Sequence, residues 1–186
     1  METIFALLKE SQSLVAPEAL RAFPGPLSEA LDCTTLQEWS PIEPLELHLS
    51  LMRQASLRKE QLGSFTTKCQ ELAEKTSTFP LEFREAQFLS NETSDTHFLA
   101  VCAQDGGTGY VQVRDLLAQV DRIMDHFHLP KYYEQRIPHF SLAWSSAEKP
   151  PAQEKDLEVS YFEANVATLH CRVGKKVHSF PLRARK

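Results

Sequence analysis

Leu45-Glu46-Leu47-His48-Leu49-Ser50-Leu51-Met52 alternates leucine with polar residues, and Pro138-His139-Phe140-Ser141-Leu142-Ala143-Trp144 repeats the pattern in the second half of the chain. Alternation with period two is the signature of a half-buried strand, in which residues i and i+2 share a face. His48 and Ser50 are therefore expected to point one way, and Leu45, Leu47, Leu49 and Leu51 into a core. In the second copy Phe140, Leu142 and Trp144 make the apolar face, with His139, Ser141 and Ala143 on the other. Pro138 limits the start of that strand. A single His-x-Ser-Leu is a weak signal. Two copies on alternating strands, about half a chain length apart, predict two similar halves, each presenting one His/Ser pair.

Outward from these strands the chain reads as mixed α+β. Residues 1–22 carry apolar positions compatible with helix in part, or with a short strand for which Thr3 to Leu8 is the candidate. Pro24, Pro26, Pro41 and Pro44 make 23–44 a loop, with one helical turn near Leu27 to Leu31. Ser56 is placed to cap a helix over 57–75, whose apolar positions are Leu62, Phe65, Cys69, Leu72 and Ala73. Phe79 to Leu89 and Thr96 to Ala103 read as a hairpin around the turn-forming stretch 91–95. Asp105-Gly106-Gly107-Thr108-Gly109 lacks the Gly-Lys-Ser/Thr of a phosphate loop and reads as a flexible connection. The clearest helix covers 111–127, with Val113, Leu116, Leu117, Val120, Ile123, Met124 and Phe127 as its buried stripe and Asp121, Arg122 and Asp125 off it. Residues 145–157 form a loop, and strands over 159–172 and 176–183 turn at Gly174-Lys175.

The 186 residues fit one domain, and 42% hydrophobic with 24% charged content is ordinary for a globular chain. No run of about 18 apolar residues suggests a membrane span, and Met1 to Leu8 is too short and too acidic at Glu2 for a signal peptide. Cys33, Cys69, Cys102 and Cys171 are scattered and read as reduced thiols rather than a zinc or disulfide framework. Net charge is −5, which is not the global signature of a nucleic-acid binder. The tail is the exception. Residues 172–186 hold Arg172, Lys175, Lys176, Arg183, Arg185 and Lys186 and no acidic side chain, a local basic stripe able to hold a few phosphates or simply a solvated strand edge.

The paired motifs, their spacing and the order of elements resemble the 2H phosphoesterase superfamily. Tyr132-Tyr133, the strand from His139 to Trp144, the preceding helix Leu117 to Met124 and the tail Cys171 to Lys176 through Phe180-Pro181-Leu182 are similar to the U6 small nuclear RNA phosphodiesterase family of 3′-to-5′ RNA exonucleases. The resemblance covers about residues 45–183. It implies one 1–186 domain of two pseudo-symmetric lobes, with two mainly antiparallel sheets, helices on their outer faces and the two His/Ser faces looking at each other across a central groove. It further implies His48 and His139 as the catalytic pair, Ser50 and Ser141 as phosphate-binding residues, Tyr133 as a base-stacking residue, and no metal or other cofactor.

The chemistry suits those residue types. Imidazoles titrate near 6.5, so one can take a proton from an attacking ribose 2′-hydroxyl while the other protonates the departing 5′ oxygen. Here His139 is read as base and His48 as acid, with the serine hydroxyls donating to the phosphate oxygens. The expected activity is metal-independent trimming of a uridine-rich small nuclear RNA 3′ end by a nuclear monomer with no membrane partner, leaving a 2′,3′-cyclic phosphate or a 3′-phosphate. Two other readings use the same residues: a 2H enzyme acting on 2′-5′ oligonucleotides or small cyclic phosphates, and a non-catalytic RNA-binding module. Trp144 is expected in the core, and His97, His126, His128, His170 and His178 are read as structural.

Overall fold

The computed structural model describes residues 2–10, 40–41, 48–91, 95–132, 134, 136–146 and 157–185, with the backbone alone for 2–10, 40–41 and 157–162. In chain order the elements are β1 (Glu2–Glu10), β2 (Ser40–Pro41), β3 (Leu49–Ser50), β4 (Ala55–Leu57), a 3-10 turn (Lys59–Gln61), α1 (Leu62–Lys75), β5 (Phe79–Ser90), β6 (His97–Ala103), α2 (Tyr110–His126), β7 (His139–Ser145), β8 (Leu157–Val173) and β9 (Lys176–Pro181). The mixed fold of helices and antiparallel strands is the one expected. Thr3 to Leu8 is strand, and lies wholly within β1. The turn predicted near Leu27 to Leu31 and the leucine alternation at Leu45 and Leu47 lie outside the described residues.

The strands hydrogen-bond in the order β4-β1-β3-β7-β6-β5-β8-β9, with β2 on β7. Two sheets were expected, but the hydrogen bonding joins these strands into one. The reason is the length of β8, 17 residues. Its first part pairs with β5, from Leu157 to Val166. Its second part pairs with β1, from Val166 to Val173. That second pairing closes a circuit through β1, β3, β7, β6, β5 and β8.

Both helices pack on one side of this sheet. α1 buries Phe65, Cys69, Leu72 and Ala73. α2 buries Val113, Leu116, Leu117, Val120 and Met124. Phe65 meets Phe127 edge-on at 5.3 Å and joins the helices. Leu49, Leu51, Leu81, Phe83, Val101 and Leu169 complete the core from the strands. Each such side chain contributes about 1.5–3 kcal/mol by leaving water. Among the described residues Cys69, Cys102 and Cys171 are buried free thiols, and burial pushes the Cys102 thiol up to about 12.

Two local expectations are corrected. Residues 55–57 form β4 against β1, with Ser56 opposite Thr3, so Ser56 lies within a strand and the α-helix starts at Leu62. A non-local pairing overrides the local capping signal there. The glycine-rich loop is stitched down rather than flexible. Glu82 donates its N–H to the Thr108 carbonyl, and its own carbonyl accepts the Gln104 N–H. Its carboxylate accepts the Thr108 N–H at 3.1 Å. That amide, with Arg84 at 2.6 Å, holds the Glu82 carboxyl below the usual carboxylate range. Gly109 has φ +77°, and a Cβ built there would lie 1.9 Å from the Pro80 carbonyl oxygen, so only glycine lets the chain pass β5 and enter α2.

Candidate active site

β3 and β7 are neighbours, not opposite walls. They pair antiparallel with Leu49 opposite Phe140. One step to either side, the antiparallel register sets Ser50 against His139 and His48 against Ser141. The two motifs thus interlock head to tail, each histidine beside the other motif's serine, at cross-strand Cβ separations of about 4.5–5.5 Å. Leu49 is fully buried, and the Phe140 ring packs on Phe83 with centroids 4.8 Å apart. These two fix which face is core and turn His48, Ser50, His139 and Ser141, all half-buried, to the other. The expectation that the two His/Ser faces confront each other across a groove is corrected accordingly.

The His139 ring has a defined orientation. Its Nδ1 lies 2.8 Å from the Ile137 carbonyl. A carbonyl only accepts, so Nδ1 carries the proton, and in the neutral ring Nε2 presents a lone pair. Burial, foremost, holds the imidazole below its ordinary pKa; the charge of nearby His48 adds to this, and the Ile137 carbonyl opposes it. His139 is therefore a neutral ring at pH 7 with an acceptor nitrogen, the state a general base requires.

The segment that delivers His139 is tied to α2 by a residue the helical pattern placed off the buried stripe. Asp121 is buried. Its Oδ1 accepts the Tyr132 N–H at 2.8 Å, and its Oδ2 lies 2.5 Å from Arg136 Nη2. Further along, the Pro138 carbonyl accepts the Ala103 N–H at 2.8 Å. The sequence did hold a signal for Asp121: it stands four residues after Leu117 and three before Met124, in a core slot of the 3.6-residue repeat.

A cleft of about 770 Å³ opens beside His139, between Tyr132, Ile137, Arg53 and the end of the β5–β6 hairpin at Phe88, Asn91 and Phe98. Of these lining residues, sequence reasoning had singled out His139 alone as a reacting group. Tyr133 lies outside the described residues. Trp144 is 43% exposed rather than in the core. The register between β6 and β7 shifts by one residue between Ser141 and Ala143, a bulge that turns Ala143 and Ser145 inward and Trp144 outward. His97 is buried against Ser90 Oγ at 2.8 Å, in keeping with a structural role. Among the described residues no group of three His, Cys, Asp or Glu side chains is placed to hold a metal ion.

The HVSL family model, described as an uncharacterised conserved protein, matches residues 7–181. The chain belongs to the HVSL family. It is 27% identical over 149 residues to U6 snRNA phosphodiesterase 1 of Bos taurus, covering 73% of this chain and 55% of that protein. The chain thus spans about half the length of the curated relatives it matches. Its fold is similar to Kluyveromyces marxianus Usb1 solved with uridine monophosphate, with a TM-score of 0.62, 13% identity and 97% and 98% of the two chains covered. It is also similar to E. coli LigT complexed with 3′-AMP, with a TM-score of 0.63, 10% identity and 98% and 95% covered. The resemblance read from the paired motifs and from the second half of the chain is borne out: the relatives matched in sequence are U6 snRNA phosphodiesterases, and the fold is shared with LigT.

Proposed function

We propose that this protein is a metal-independent RNA phosphodiesterase that removes nucleotides one at a time from the 3′ end of U6 small nuclear RNA. The observation that carries this is the interlocked tetrad, two histidines and two serines on adjacent strands, with His139 held neutral and its Nε2 available. In this reading the 2′-hydroxyl of the penultimate ribose attacks the phosphorus and passes its proton to His139 Nε2. The P–O5′ bond breaks, and His48 protonates the departing 5′ oxygen. The phosphate left behind is a 2′,3′-cyclic ester; water with the roles reversed opens it to a 3′-phosphate. Ser50 and Ser141 donate to the non-bridging oxygens from either side, stabilising the charge that develops there. Two imidazoles supply both proton transfers, each step being worth about 10²–10⁴-fold.

The cleft beside His139 has room for the departing nucleoside, and the family resemblance supports Tyr133 as the residue that stacks on a base, an interaction worth about 1–3 kcal/mol. The names of the relatives and the uridine monophosphate bound by the Kluyveromyces protein support a uridine-rich RNA end as substrate. A nuclear location follows from that substrate. The chain acts as one monomeric domain whose two pseudo-symmetric lobes each bring one His/Ser pair to the seam between β3 and β7.

Incubation with 3′-hydroxyl oligouridine in excess chelator tests the reading, with mass analysis of the ends. Trimming in chelator, and none when the penultimate ribose is 2′-deoxy, is the expected result. Loss of activity in chelator, or equal trimming of the deoxy substrate, overturns it. A product panel including 2′-5′ oligoadenylate and a small cyclic phosphate separates this activity from that of a small-substrate 2H enzyme.

A further inference from the structure

The tetrad occupies one place on a sheet face that runs on in both directions. On the β6 side of His139 lies the cleft, lined in part by the end of the β5–β6 hairpin. On the other side the register continues across three more strands: Ser50 is opposite Leu7, Leu7 is opposite His170, and His170 is opposite Ser179. Residues directly opposite each other in antiparallel strands share a face. The positions of His139, Ser50, Leu7, His170 and Ser179 thus form one transverse row on the tetrad's side of the sheet. At a strand spacing of about 4.8 Å, His170 stands about 10 Å from Ser50 and Ser179 about 14 Å. One step along β8, Arg172 lies opposite Phe5 and Val177 on the same face.

This far end of the row has the chemistry of a phosphate binder. His170 Nδ1 and Ser179 Oγ are 2.9 Å apart and share a hydrogen bond. Arg172 is exposed, and its Nε donates to the Gly174 carbonyl at 3.1 Å, which steadies the guanidinium at the hairpin turn. Lys175 and Lys176 are exposed at the turn itself. No acidic side chain occurs anywhere in residues 164–186, in a chain whose net charge is −5. Arg172, Lys175 and Lys176 all stand in solvent, where their charges are open to a ligand.

We propose that the face carrying the tetrad continues over β1 onto the β8–β9 hairpin as a track for the upstream phosphates of a single-stranded RNA, with Arg172 and the His170–Ser179 pair as its points of attachment. The proposal rests on the reading of the tetrad as an RNA phosphodiesterase site. The geometry sets the polarity. With the departing residue in the cleft beside His139, the body of the RNA leaves on the opposite side of the scissile phosphate, across β3 and β1. Phosphate binding of this kind carries no sequence information and acts through charge and hydrogen bonding.

The test compares a uridine dinucleotide, whose single phosphate sits in the tetrad, with a ten-residue oligouridine. The variant Arg172→Glu/Lys175→Glu, its fold checked by circular dichroism and thermal melting, is assayed beside the unaltered protein over a range of salt. The expected result is a loss of about tenfold in kcat/KM on the long RNA, the size of one hydrogen bond to a charged group, with dinucleotide turnover unchanged. The slope of log kcat/KM against log salt for the long RNA should also become shallower by about 0.7 for each phosphate that the variant no longer neutralises. Equal effects on both substrates, or no effect on either, overturn the track. Failure of the unaltered protein to cleave even the dinucleotide instead overturns the catalytic reading beneath it. A variant that does not fold is replaced by Arg172→Gln, for which the same contrast between substrates decides.

Discussion

Replacing Arg136 by alanine should cost more stability than replacing its partner Asp121, although both changes break the same ion pair. The order follows from which charge is left behind. In the folded protein the Asp121 side chain is 7% exposed and that of Arg136 is 29% exposed. Removing Arg136 strands a carboxylate that water cannot reach, and breaking a buried pair in this way costs about 3–5 kcal/mol. Removing Asp121 strands a guanidinium on a long stem that can turn to solvent. What remains is mainly the Tyr132 N–H, which loses its acceptor, a cost of about 1–3 kcal/mol. Neutralising the stranded group should undo part of the damage, so Asp121→Asn added to Arg136→Ala should recover about 1 kcal/mol. Urea unfolding at pH 7, with the slope held common, gives all three values. The reasoning is refuted if Asp121→Ala is the more costly single change, or if the double variant is no more stable than Arg136→Ala. Because the same pair anchors the segment that carries Ile137 and His139, kcat/KM on RNA should fall with each variant beyond what its unfolded fraction explains.

Three further outcomes are expected. His48→Ala and His139→Ala should each lower turnover by about 10²–10⁴-fold while leaving RNA binding within a few-fold; single-turnover rates check this, and an undiminished rate in either variant refutes its role. The limb of the kcat/KM profile that reports deprotonation of the base should lie below 6.5, because burial depresses His139. The same shift links to stability: the unfolded chain takes up the proton first, so the contribution is full above about 6.5 and is lost as pH falls through the lower folded value. His139→Gln should flatten that part of the stability curve, and an unchanged pH dependence counts against the assignment. Gly109→Ala should destabilise by about 3 kcal/mol or more, from left-handed backbone strain plus the clash with Pro80. Gly63→Ala, which meets nothing within 4 Å in α1, should instead stabilise by about 0.5–1 kcal/mol; thermal melting of the two variants tests the contrast.

The contrast between what periodicity told correctly and what it missed has a physical basis. Period two and period 3.6 report which side of an element is buried, and that much was legible. Leu49 and Phe140 face the core and their histidine neighbours do not, and α2 begins and ends within one residue of the 111–127 predicted. Neither period says which strand lies beside which. Two strands with matched His/Ser faces are as compatible with confronting walls as with a hydrogen-bonded seam, and only the Leu49–Phe140 pairing decides for the seam. Nor does a period survive an inserted residue. The pattern that placed Trp144 beside Phe140 and Leu142 assumes unbroken alternation, and the register shift before Ala143 reverses it.

Asp121 shows the converse case, a break in pattern that carried information. An aspartate in a core slot of a helix is costly unless a partner is supplied, and here the partner is Arg136, beyond the end of α2. The site is thus built in two layers that differ in legibility. The proposed reacting groups repeat and announce themselves. The groups that aim them occur once, and their meaning depends on neighbours that no local spacing encodes. The basic hairpin belongs to this second kind. Its charges are plain in the sequence, but that they share a face with His139 follows only from register carried through Ser50, Leu7 and His170, on three strands that lie far apart in the chain.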